Sequence, residues 1–79
     1  MDIDLARQMV RAAFRASGEL ETILKTLKAR CPKDEYRDLA LGIAAAVDSV
    51  GTALIRKAIA SHPELEAEID ASITKTGRY

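Results

Sequence analysis

Cys31-Pro32-Lys33-Asp34 is the stretch on which the reading of this fold depends, because it separates two long helical patterns. Pro32 disfavours helix at Cys31, and Asp34 is placed to accept hydrogen bonds from the next free N–H groups as an N-cap. Reading backward, at 100° per residue, Leu5, Met9, Ala13, Ala16, Leu20, Ile23, Leu24 and Leu27 fall in one arc from about residue 4 to 30. The arc keeps its phase through Ser17-Gly18, which predicts one long helix, bent at most at that pair. A side row of Ile3, Val10 and Phe14 lies away from the main arc.

Reading forward, a second helix is expected over about 35–60. Its main stripe is Tyr36, Leu39, Ala40, Ile43, Val47, Val50, Leu54 and Ala58. A second apolar arc on the same helix contains Leu41, Ala44, Ile55 and Ile59, with Asp48 and Gly51 among them. Gly42, Ala45, Ala46, Ser49, Thr52 and Ala53 add small side chains that let another backbone come close. Two long helices joined by a short connection pack as antiparallel neighbours.

A second proline ends the second helix. Ser61-His62-Pro63-Glu64 opens a third helix expected over about 63–76, with proline in the first turn and glutamates at the positive end of the dipole. Leu65, Ile69 and Ile73 give it a single apolar row. Gly77 is a natural stop, and Arg78-Tyr79 is expected to fray. The fold class is therefore all-α: one domain over residues 1–79, a long helical hairpin plus a short third helix.

Seventy-nine residues bury a limited core, about 60% of the unfolded surface. One cysteine excludes an intramolecular disulfide, and Cys31 with His62 cannot make a structural zinc site. Self-association is the remaining remedy. One short row on the third helix cannot mask the whole second arc, so Leu41, Ala44, Asp48, Gly51, Ile55 and Ile59 are the expected self-interface of a homodimer.

Twelve basic and twelve acidic residues give zero net charge, which argues against binding nucleic acid or anionic lipid by bulk electrostatics. The acidic start Met1-Asp2-Ile3-Asp4 does not read as a signal peptide. No stretch approaches the ~20 uninterrupted apolar residues of a membrane span. With a free cysteine these features predict a cytoplasmic protein.

Arg7, Arg11 and Arg15 recur every four residues opposite the expected core. The first reading is a solvated face with helical pairs such as Arg15–Glu19. The functional alternatives are an acidic protein partner or, less in keeping with the charge balance, a nucleic-acid backbone. Asp48 reads as a wet rim residue or as a polar group setting register across an interface. His62 reads as a turn or cap residue. Cys31 reads as a small packed hydrophobe, with a reactive thiol between Arg30 and Lys33 as the alternative. Tyr36 is expected in the core with its hydroxyl near the turn.

No phosphate loop, dinucleotide fingerprint, zinc-protease or nucleophile-elbow motif occurs. No cofactor and no enzyme activity are expected. A helical pocket for an apolar ligand is a further alternative.

Glu35-Tyr36-Arg37, Gly42-Ile43-Ala44 and Ser61-His62-Pro63-Glu64-Leu65 resemble a pattern found in small bacterial all-helical proteins of uncharacterised role. In these a His-Pro-Glu/Asp-Leu turn introduces the last helix after a long hairpin. The resemblance covers the second half of the chain and implies a fold, without an activity.

Overall fold

The computed structural model describes all 79 residues and contains three helices and no strand. Helix α1 spans Ile3–Arg30, α2 spans Lys33–Ser61 and α3 spans Glu64–Thr76. Asp2 caps α1: its side chain accepts from the Leu5 N–H at 2.8 Å. The helix runs through Ser17-Gly18 without a break, as its continuous phase requires.

The connection to α2 is shorter than the sequence suggests. Pro32 takes the cap position, its carbonyl accepting from the Tyr36 N–H, and Asp34 lies inside the first turn of α2. Asp34 therefore complements the helix dipole rather than capping the helix. At the other end Gly77 adopts the left-handed conformation, φ 76°, and its N–H closes onto the Ile73 carbonyl.

The seam between the long helices differs from the expected arc. The least exposed residues of α1 step by three and four: Ile3, Ala6, Val10, Ala13, Ser17, Leu20, Leu24, Leu27 and then Cys31. This is a heptad rhythm, which keeps one seam against a neighbouring helix. Leu5, Ala16 and Ile23, which the arc placed at the core, are exposed, whereas the side row of Ile3, Val10 and Phe14 packs into it. Hydrophobic mass alone does not locate a seam. Close helix packing favours small residues there, and Ala6, Ala13 and Ala58 are buried in it beside Val10.

Helix α2 contains a π-helical turn at Gly51–Ile55, where the Arg56 N–H bonds the Gly51 carbonyl five residues back. The extra residue rotates everything beyond it. Before the turn the seam residues are Tyr36, Ala40, Ile43, Val47 and Val50; an unbroken helix would continue with Leu54, Lys57 and Ser61. These three are exposed, and Ile55, Ala58 and His62 face inward instead. The uninterrupted phase expected around Gly51 is thus corrected by one residue. Deleting Thr52, exposed within the turn, should restore a regular helix with both halves still in register. Circular dichroism melting is expected to show the fold retained. Deleting Ala45, outside the turn, should misplace the remainder of α2 and lower the melting temperature sharply.

The buried core is small and lies at one end of the molecule. Ala6, Val10, Ala58, Leu65 and Ile69 form it, with Ile3, Met9, Phe14, Ile55, Ile59 and Tyr79 packed around them. Arg78-Tyr79 is accordingly not frayed. The Ser72 hydroxyl donates to the Arg78 carbonyl at 2.7 Å, the Thr76 hydroxyl shares its one proton between the Ser72 and Arg78 carbonyls at 2.9 and 3.0 Å, and the Tyr79 ring meets Phe14 with centroids 6.1 Å apart.

The Cα extents are 44 × 25 × 15 Å. A Cα thickness of 15 Å is one helix-to-helix spacing of about 10 Å added to the ~5 Å width of a single helix's Cα cylinder, which is two layers. Only the base, where α3 lies, gains a second layer.

Candidate functional site

The two long helices leave two flanks on either side of their seam, and the flanks differ in chemistry. On one, Arg7, Arg11, Phe14, Gly18 and Glu21 follow one another along α1, facing the Leu41, Ala44, Asp48, Gly51 and Ile55 row of α2. Shared clefts establish that these rows adjoin: Glu21 with Ala44, Val47 and Asp48, and Phe14 and Gly18 with Gly51 and Ile55. Helix α3 and the tail cover the lower part of this flank. With 13 residues, about 20 Å, α3 spans less than half of the roughly 42 Å of α1.

The row expected as a self-interface is consequently divided. Ile55 and Ile59 are packed against the core of the same chain, while Leu41, Ala44 and Asp48 remain exposed above it. Gly51 is half-buried, and a Cβ on it would meet only open space. Asp48 makes no ion pair or hydrogen bond within the chain and lies at a wet rim.

The opposite flank is mostly apolar and largely uncovered, with Lys57 at the lower end of its α2 row. Along α1 it is Leu5, Met9, Ala12, Ala16 and Ile23, bordered by the seam residues Leu20 and Leu27. Along α2 it is Leu39, Gly42, Ala46, Ala53 and Leu54, bordered by the seam residue Val50. Leu5, Ile23, Leu39 and Leu54 are all among the large apolar side chains left exposed, with Ile23 at 44%. Neither row contains an ionisable group between its ends. No titration or ion pair interrupts this surface.

The arginine row does not face away from the core as one solvated strip. Arg7 is half-buried, and its Nε donates to both Glu68 carboxylate oxygens at 3.0 and 3.1 Å while Nη1 donates to Asp4 at 2.9 Å. The Glu68 hydrogen bond, with smaller contributions from its charge and from Asp4, holds the Arg7 guanidinium above its ordinary pKa. Arg7 thereby links the start of α1 to α3. Arg11 lies over the Tyr79 ring, 5.0 Å from its centroid, and Arg15 is exposed without an acidic partner. The expected Arg15–Glu19 pair is not formed.

The other singled-out residues have structural surroundings. His62 is a turn residue whose ring Nε2 donates to the Met1 carbonyl at 2.8 Å, with Glu64 3.6 Å from Nδ1. Cys31 and Tyr36 are half-buried beside the turn, in a surface depression with Lys28, Lys33 and Arg37. No group of three or more His, Cys, Asp and Glu side chains is placed to hold a metal ion.

No protein-family model matches the chain, and no curated protein or solved structure matches it either.

Two features lay beyond the sequence reading. Lys33–Ser61 forms a continuous 29-residue helix that is long and apolar enough, by length and composition, to cross a membrane. Its apolar stretch between Asp38 and Arg56 is 17 residues with Asp48 inside, short of an uninterrupted run of ~20. The second is Tyr79, whose buried hydroxyl has no hydrogen-bond partner. An unpaired buried hydroxyl costs about 1–3 kcal/mol, so Tyr79→Phe should leave stability unchanged or raise it in urea denaturation. A loss of stability would mean that the hydroxyl is bonded in solution.

Proposed function

We propose that this chain is a non-enzymatic helical interaction module. A long antiparallel hairpin with a short third helix associates with a second copy of itself, in the cytoplasm, into a helical bundle. The paired chains then present their outer faces to another macromolecule.

The observation that carries this reading is surplus surface. The chain exposes 5796 Å². A compact monomer of 8.6 kDa exposes about 4,700 Å² by the usual area–mass relation. The excess of roughly 1,100 Å² exceeds the ~800 Å² that each partner contributes to a standard interface. The radius of gyration agrees, 14.7 Å against about 11.6 Å for a compact chain of this length. Helical domains bury their apolar stripes between two layers, and about half the length of this hairpin, beyond the reach of α3, has one.

The mostly apolar flank supplies the complementary surface. Two such flanks brought together by a two-fold axis place Leu5, Ile23, Leu39 and Leu54 in a shared core, the arrangement of a four-helix bundle. The self-interface proposed here therefore differs from the Leu41, Ala44, Asp48 row, half of which the chain covers itself.

Molar mass by light scattering over a hundredfold concentration range tests the proposal. The expected mass is twice 8.6 kDa, falling toward the monomer on dilution. A monomer throughout would overturn it. Flotation with lipid vesicles run beside it addresses the apolar α2: co-flotation of the protein would assign the mostly apolar flank to a bilayer and overturn self-association as its use.

A further inference from the structure

We propose that the cleft between α1 and the tail after α3 binds a phosphate monoester carried on a planar, apolar body. The cleft encloses about 490 Å³, inside the range of roughly 300–1,000 Å³ for small-molecule sites. Three guanidinium groups line it: Arg11 and Arg15 from successive turns of α1, and Arg78 from the tail.

None of these three has a carboxylate within ion-pair distance, since the only ion pairs of the chain are Arg7–Asp4, Arg7–Glu68 and His62–Glu64. Arg7 makes the contrast. One turn below Arg11 on the same face, it is taken up by two acids and lies outside the cleft. Three arginines without a carboxylate partner thus line one concavity in a chain of zero net charge, Arg11 with its guanidinium over the Tyr79 ring.

The tail that brings Arg78 there is built, not loose. Gly77 turns the chain in the left-handed conformation, and the Ser72 and Thr76 hydroxyls clamp the Arg78 carbonyl. Tyr79 then packs on Phe14 and beneath Arg11. Each guanidinium offers planar paired donors suited to phosphate oxygens, and three of them match a dianion better than a monoanion. Phe14, Ile73 and Tyr79 complete the lining with apolar and aromatic surface, which selects an ester with a flat organic group over free phosphate.

The site uses the charged flank, away from the self-association surface, so either proposal can fail without the other.

Nitrogen-15 NMR titration of the full chain tests it, with the amides of Gly18 and Gly77 as reporters in the cleft. Phenyl phosphate should give saturable shifts there, and should bind about tenfold more tightly than inorganic phosphate or benzoate, the difference of one good contact. Arg15→Gln with Arg78→Gln should weaken it by a further tenfold or more, both residues being exposed and neutral to folding. Arg37→Gln, on the far turn, should not change it. Absence of saturable shifts, or shifts undiminished in the double variant, would overturn the site. Equal affinity for inorganic phosphate would overturn the planar body, and equal affinity for benzoate would overturn the phosphate.

Discussion

Ile23→Glu is expected to prevent the proposed self-association and leave a monomer that keeps its helices. Ile23 is exposed in the single chain, so a glutamate there meets water, and exposed substitutions usually change stability by no more than about 0.5 kcal/mol. In the proposed bundle the same position is buried twice, once from each chain. A carboxylate placed there unpaired faces a desolvation penalty of several kcal/mol, in surroundings with no cation between the ends of either apolar row. Every 1.4 kcal/mol is tenfold in affinity, so the dissociation constant should rise by roughly a thousandfold or more.

Light scattering reads the mass, and far-ultraviolet circular dichroism confirms that the helices survive. Leu41→Glu is the companion variant. Leu41 is more exposed still, at 67%, but belongs to the other flank, and the dimer should tolerate it. If Leu41→Glu dissociated the chains and Ile23→Glu did not, the interface would be the Leu41, Ala44, Asp48 row after all. Ile55→Glu, attractive from sequence, would separate nothing, because Ile55 packs against the internal core and the variant would fail to fold.

Leu65→Ala is expected to be the most destabilising single truncation in the chain. Leu65 is completely buried, and with Val10 it is the largest side chain to be so. Truncating a buried leucine costs about 2–5 kcal/mol through lost transfer energy and the cavity left behind. A domain of this length has only about 4–12 kcal/mol of stability in total. Leu65 also anchors α3, whose other buried side chain is Ile69. Ile73, the third of the row, is 39% exposed and cannot replace it.

Urea denaturation at fixed protein concentration should show the midpoint falling steeply for Leu65→Ala and barely moving for Ile73→Ala. Fast hydrogen exchange across α3 should accompany the first. Equal effects for the two variants would mean that α3 docks by a different face.

How far the site could be read from the sequence differed among its residues. The turn role of His62 follows from residue type and local spacing, whereas for Asp48 these left a wet rim and a register-setting group open. Arg7 and Arg11 were legible as a row but not as contacts, because Glu68 and Tyr79 lie more than sixty residues away along the chain. The tail was misread for the same reason. Gly77 correctly marks the end of α3, yet only the approach of Phe14 and Arg11 gives Tyr79 something to pack on.

By itself the sequence determined the helices and the places where they stop. Pro32, Pro63 and Gly77 act through bonds and dihedral angles within a few residues, and the period of the apolar residues follows from helix geometry, so both are visible without a fold. The tertiary structure alone decided which side of each helix is inside. Burial is a relation between elements: Leu5 and Ile23 are as apolar as Leu20, but α3 docks on the other flank and nothing covers them. The π turn is the sharpest case. It moves the inward face of α2 from Leu54 to Ile55, and no local residue demands it. The need for Ala58 and His62 to meet the start of α1 and α3 does.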